Sequence, residues 1–209
     1  MWSIFLLYVD YFSIITVDNF GVDLYRNYVN AEIVINGFHI VKLFTNSFNH
    51  TRIDTMKDFS TCNLKYKTLN KYWKHFLKLY KLLDPIHFFK RIHFPGKFVS
   101  NEDIVDISLD VDNTLKDTYD CYQCLREDIE KRNFELFTFH LSYFKDKVSD
   151  RMKTSIDTCY YYLDFIKNSF IYDYSNGPIE GVNNFIKVLK RIAFGYRNFT
   201  NFRTRIFIT

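Results

Sequence analysis

An α/β fold that is mostly helical is what this sequence predicts, and three observations carry the reading. Two short β-branched, apolar runs, FSIITVD at residues 12–18 and AEIVI at 31–35, read as buried strands. From residue 41 to 171 apolar side chains recur at three- and four-residue intervals, the period of amphipathic helices. Only 6 Gly and 3 Pro interrupt 209 residues that are 47% hydrophobic and 20% aromatic, so the chain can bury a core and does not read as disordered.

Taken in order, the opening MWSIFLLYV is apolar for about eight residues, far short of the roughly 20 that cross a bilayer. It has no basic leader and no small-residue cleavage site, so it reads as a strand or the remnant of one, with no membrane role. The next strand ends at Asp18, residues 21–30 read as a short helix, and a helix begins at Phe38 after the strand at 31–35. A strand, helix, strand, helix order belongs to an α/β sheet. Residues 64–83 read as one amphipathic helix with an apolar stripe at Leu69, Tyr72, Phe76, Tyr80 and Leu83. Six lysines surround that stripe with no acid until Asp84. A lysine face is ordinarily just solvated, and nucleic-acid contact is the alternative. Pro85 and Phe94-Pro95-Gly96 break the helices. Residues 108–144 and 148–170 read as two further helices, with Tyr160, Tyr161, Tyr162 and Phe165 expected in the core.

The net charge of +4 is unevenly spread: residues 181–209 carry six Lys and Arg and no acid, leaving −2 for residues 1–180. A concentration of positive charge fits a polyanion contact. The four cysteines form no secreted-type framework and fit a reduced setting. Cys121-Tyr122-Gln123-Cys124 has C-x-x-C form but no second ligand pair near it, so the two thiols read as small apolar residues.

Ser175-Asn176-Gly177-Pro178 is a helix start, with proline at a position that needs no amide donor, and it places Glu180 in the first turn. At about 100° per residue, Ile179, Val182, Ile186, Leu189 and Ala193 share one side, and Glu180, Asn184, Lys187 and Arg191 share the other. A carboxylate with an amide and two cations on a solvent-facing stripe suits a metal and phosphate site. The plainer reading is a solvated face with a glutamate well placed against the helix dipole.

The wording of this segment goes further. SNGPIEGVNNFIKVLKRIAFGYRNFTNFRTRI, residues 175–206, closely resembles the C-terminal signature of bacterial insertion-sequence transposases of the DDE type, in the ISL3 family. NAEIVINGFHIVKLFTNSFNHTRI resembles the family's N-A-x-I-V-I-D-R-F-H-I-V block, and ITVDNF resembles its strand ending in the second catalytic aspartate. The resemblance implies that Asp18 and Glu180 are the second and third catalytic acids and metal ligands, with His39 and Asn183 beside them. It implies DNA contacts by Asn184, Lys187, Lys190, Arg191 and Arg197. It also implies a truncated RNase-H-like catalytic core, with part of the sheet in residues 1–50, a large all-α insertion at 51–170, and C-terminal helices at 171–209. The expected cofactor is Mg²⁺ or Mn²⁺, and the expected partner is DNA at transposon ends. Homo-oligomers, or mixed oligomers with intact transposase, are expected on the nucleoid in the cytoplasm.

Two departures bear on activity. Asn36-Gly37 stands where the family has Asp-Arg, and the strand carrying the family's first catalytic aspartate has no counterpart. Asp10, the one acid before Asp18, precedes it by only eight residues, too few for the intervening strands. Two clustered divalent ions need bridging carboxylates, so an incomplete copy that does not cleave DNA by itself is expected. A non-catalytic DNA-binding or oligomerisation module, or an inert relic, are the alternatives.

Overall fold

The strands at 12–17 and 31–35 and most of the helical stretches after residue 37 lie where the sequence patterns put them, and the breaks between helices do not. The computed structural model describes residues 5–9, 12–17, 31–172, 177–192 and 198–208. The chain divides into one unit of residues 37–171 and another of residues 1–36 with 172–209.

In the second of these, β1 (Phe5–Val9) pairs antiparallel with β2 (Phe12–Val17), and β2 pairs parallel with β3 (Ala31–Ile35). The sheet order is β1-β2-β3, with Ile15 opposite both Leu6 and Ile33. Parallel pairing needs a crossover between the strands. The helix expected at 21–30 falls there and lies outside the described residues. Val34 and Ile35 are buried, as β-branched residues at the end of a covered strand should be.

The 37–171 unit contains α1 (Gly37–Lys57), α2 (Leu64–Lys71), α3 (Trp73–Phe76), β4 (Phe89–Lys90), β5 (Phe98–Val99), α4 (Asn101–Leu109), α5 (Asn113–Glu130), α6 (Phe134–Phe144), α7 (Asp150–Tyr161) and α8 (Leu163–Ile171). The long helix α1 packs against α2, α5 and α7, and buries Ile40, Phe44 and Phe48 at four-residue spacing. Around Phe48 the rings of Tyr122, stacked at 5.4 Å, Tyr119 at 5.4 Å and Phe76 at 6.4 Å close a fully buried aromatic cluster. Serine and threonine line the crossing of α1 and α7: Ser47 and Ser155 hydroxyls meet at 2.6 Å, and Thr51 reaches Ser149 at the same distance. Each hydroxyl is thereby satisfied inside the core.

Several boundaries correct the sequence reading. The single helix expected at 64–83 is α2, α3 and a 3₁₀ turn at Tyr80–Leu82. Tyr72 interrupts it with φ −102° and ψ 18° while remaining buried, so the apolar spacing continues across a break. The helix expected at 108–144 is split by two N-caps: Asp112 accepts from the Leu115 amide and Asn133 from the Leu136 amide. Arg132, at φ 53°, reverses the chain just before the second cap. The helix expected at 148–170 breaks at Tyr162, where α7 ends. Tyr160 and Tyr161, expected in the core, are exposed, because the buried face of α7 is Met152, Ser155, Ile156 and Cys159. The segment 51–170 is not all-α either: β4 and β5 pair antiparallel, and Gly96 at φ 74° turns the chain between them.

α9 (Gly177–Ile192) and α10 (Phe199–Ile208) belong with the sheet and pack on each other. Among the described residues no helix is long and apolar enough to cross a membrane.

Candidate nucleic-acid interface

α9 begins at Gly177 with Pro178 inside the first turn, as the missing proline amide permits, and Glu180 lies in that turn. Leu189 is buried and Ile186 half-buried on one side of the helix. Asn184, Lys187 and Arg191 are exposed and share the opposite face at i, i+3 and i+7. Lys190 and Arg191 occupy the last turn, where cations are favoured by the helix dipole. One feature of this helix escaped the sequence reading. Phe185, Val188 and Ile192 form an exposed apolar row, between 41% and 69% accessible, alongside the basic face. Their three- and four-residue spacing is a visible signal, but it runs beside the buried stripe at the same period and is easily merged with it.

The other expected site residues are placed unevenly. β2 ends at Val17, and Asp18 after it lies outside the described residues, as does Arg197. Glu180 and Asn183 are placed as helical positions of α9, with nothing described of their side chains. His39 lies in the first turn of α1, half-buried, its ring 5.4 Å from Phe38 in an edge arrangement. Among the described residues no three His, Cys, Asp or Glu side chains cluster as a metal site.

The 37–171 unit holds a second group of acids that sequence reasoning missed. Glu102, Asp106 and Asp110 recur every fourth residue along α4 and its C-cap, a ladder that could have been read. The Tyr80 hydroxyl lies 2.8 Å from Glu102 Oε1 and 3.0 Å from Asp106 Oδ2. It has one proton for two carboxylates. Burial, then the repulsion of Glu102 and Asp103, pushes the Asp106 carboxyl above its ordinary value against the opposing Tyr80 hydrogen bond. A carboxyl whose folded pKa is raised stabilises the fold when protonated. That contribution is lost as pH rises from the ordinary carboxylate range through the folded value. Asp106→Asn is therefore expected to raise the urea midpoint at pH 7 more than at pH 3.5. Equal changes at both pH values would show that Asp106 ionises without cost.

A family described as Transposase, the DDE type of ISL3 elements, matches residues 18–206. A protein of Lactococcus lactis subsp. lactis named ATP-dependent protease is 37% identical over 114 residues, 53% of this chain and 35% of that relative. The matched stretch thus spans about a third of the relative's length. No solved structure matches. With the family match running from the residue after β2 through most of α10, the chain belongs to the ISL3-type DDE transposase family.

Proposed function

We propose that this transposase chain grips DNA phosphates through the exposed face of α9 and supplies two acids, Asp18 and Glu180, to a phosphodiester-transfer site. The observation that carries this reading is the convergence of Asn184, Lys187 and Arg191 on one solvent face of the helix whose first turn holds Glu180. Lys190 and Arg197 extend the positive charge along the same segment, which contains no acid after Glu180. On this reading the strands and the C-terminal helices are parts of one RNase-H-like core. The 37–171 unit is inserted between them, and His39 and Asn183 stand beside the acids.

The donor set fits a hard divalent cation, since carboxylate oxygens are the ligands Mg²⁺ and Mn²⁺ prefer. Asp18 and Glu180 would hold such an ion, which would supply polarisation of a phosphoryl oxygen and a lowered pKa for the attacking water or hydroxyl. The cationic face then holds the strand in register while Asn184 offers neutral hydrogen bonds to the same backbone.

The test is equilibrium binding to duplex DNA over a range of salt. Lys187→Ala and Arg191→Ala are each expected to weaken binding on all sequences and to make the salt slope shallower by about 0.9 for each phosphate no longer neutralised. Affinity and slope unchanged in both variants would return α9 to a merely solvated helix. With two acids and no bridging third, the chain by itself is expected not to nick transposon-end DNA in Mn²⁺; specific nicking that disappears in Glu180→Gln would show that Asp18 and Glu180 suffice.

A further inference from the structure

The most positive stretch of the chain is not α9. Residues 59–99 contain nine Lys and Arg against a single acid, Asp84, for a net +8. That acid is engaged locally, accepting from the Ile86 and His87 amides and meeting the His87 ring at 2.8 Å. Since residues 181–209 carry +6 and the whole chain +4, the remaining residues carry −10. Charge this segregated is a surface device, because folding alone gains nothing from like charges held together.

The structure gathers part of that charge around one opening. A cavity of about 610 Å³ is lined by Lys67 and Lys71 of α2, by Trp73, Lys74 and His75 of α3, and by His93. Lys67 and Lys71 are one turn apart on the same face, and the break at Tyr72 brings Lys74 round to the cavity. Among the described residues no carboxylate pairs with these three lysines. Lys81, Lys131 and Lys145, by contrast, each have one within 3.4 Å. The rims are rigid. Tyr72 packs its ring against His75, His93 and Phe94 at 5.9–6.1 Å, and the Arg52 guanidinium clamps α2 by donating to the Leu69 carbonyl at 2.6 Å.

The two imidazoles add donors. Nδ1 of His75 and Nδ1 of His93 are buried without a hydrogen-bond partner. Buried polar atoms are rarely left so. A half-turn of either ring exchanges Nδ1 with Cδ2 and brings the nitrogen to the other edge, a choice that an anion in the cavity would decide. Trp73, 39% accessible beside Lys74, supplies a flat wall for the sugar or base next to a phosphate.

We propose that this cavity is a phosphate site of the 37–171 unit that takes the backbone of a DNA strand, a second grip besides α9. The proposal rests on the transposase reading above, which names DNA as the substrate. Geometry favours a nucleic-acid phosphate over a free one, because three lysines at one- to two-turn spacing and an aromatic wall exceed what one small anion needs.

The experiment measures duplex and single-stranded oligonucleotide binding by the full chain from low to physiological salt. It follows both anisotropy and tryptophan fluorescence, with Trp73→Phe as the optical blank. The variant Lys67→Gln/Lys71→Gln/Lys74→Gln keeps the aliphatic stems, and Lys→Arg at the same three positions restores the charge. The expected result is a salt slope shallower by about 0.9 for each phosphate released, about 2.7 if all three lysines contact phosphate, with recovery in the arginine variant. Quenching that disappears in Trp73→Phe is expected with it. An unchanged slope in the glutamine variant, while Lys187→Ala and Arg191→Ala still weaken binding, overturns the cavity and leaves the α9 reading standing. No DNA binding by the unaltered chain at low salt overturns both. Quenching by inorganic phosphate with an unchanged oligonucleotide slope also overturns the proposal, making the cavity a small-anion site.

Discussion

Phe48→Ala is expected to destabilise the 37–171 unit by about 3–5 kcal/mol, measured as the shift of a urea unfolding curve at constant slope. Phe48 is fully buried and, among the described residues, is the one ring that touches all of Phe76, Tyr119 and Tyr122, which come from α3 and α5. Truncation removes its transfer energy and opens a void that three large neighbours, fixed on α3 and α5, cannot collapse to fill. The aromatic pairings contribute about 0.5–1.5 kcal/mol each beyond the buried area. Phe88→Ala is the control: that ring is 55% exposed, and its loss is expected to stay within about 0.5 kcal/mol. Equal effects from the two variants would contradict the cluster as the centre of the core.

Arg52→Met is expected to cost on the order of 3 kcal/mol, through hydrogen bonds and not through volume. Arg52 is 5% exposed, and its Nε and Nη2 donate to Asn49 Oδ1 while Nη1 donates to the Leu69 carbonyl. Burial lowers its pKa, yet a guanidinium remains charged at any pH the fold survives. Methionine fills much of the space but leaves the Leu69 carbonyl at the end of α2 without its donor. Amide exchange should therefore quicken first in α2, before global opening. Because α2 carries Lys67 and Lys71, DNA affinity should fall as well, although no cation that faces solvent has been touched. Uniform acceleration of exchange across the unit would show that Arg52 holds the whole core and has no special relation to α2.

The strands β2 and β3 were legible because a β-branched run bounded by polar residues has few other uses, and β2 ends one residue before the acid that was expected to close it. The helix breaks were not. Asp112 and Asn133 cap from within runs whose apolar spacing continues on both sides, so periodicity reports the buried face and is blind to the interruption. The aromatic cluster was hidden for another reason: Phe48 and Tyr122 are 74 positions apart, and a contact at that distance has no local trace. At the candidate site, one face of α9, Glu180 included, could be read from helical angles, whereas the catalytic roles of Asp18 and Glu180 were implied only by the resemblance. The cavity by α3 depended on the non-helical Tyr72, which no spacing rule announces.

The four thiols divide the molecule by reactivity. Cys121 and Cys159 are buried and unpaired, and burial pushes both well above the ordinary thiol value, while Cys124 is pushed up to about 11. Nucleophilic attack needs the thiolate and an open path, so Cys121 and Cys159 stay silent while the helices are packed, whereas half-buried Cys124 lines a cavity and is held back by its raised value. Cys62 is exposed, one residue before the Asn63 cap of α2. The unaltered chain thus carries one exposed thiol for a spectroscopic label, two residues before the helix that holds Lys67 and Lys71. The slow appearance of further reactive thiols becomes a clock for the opening of α5 and α7.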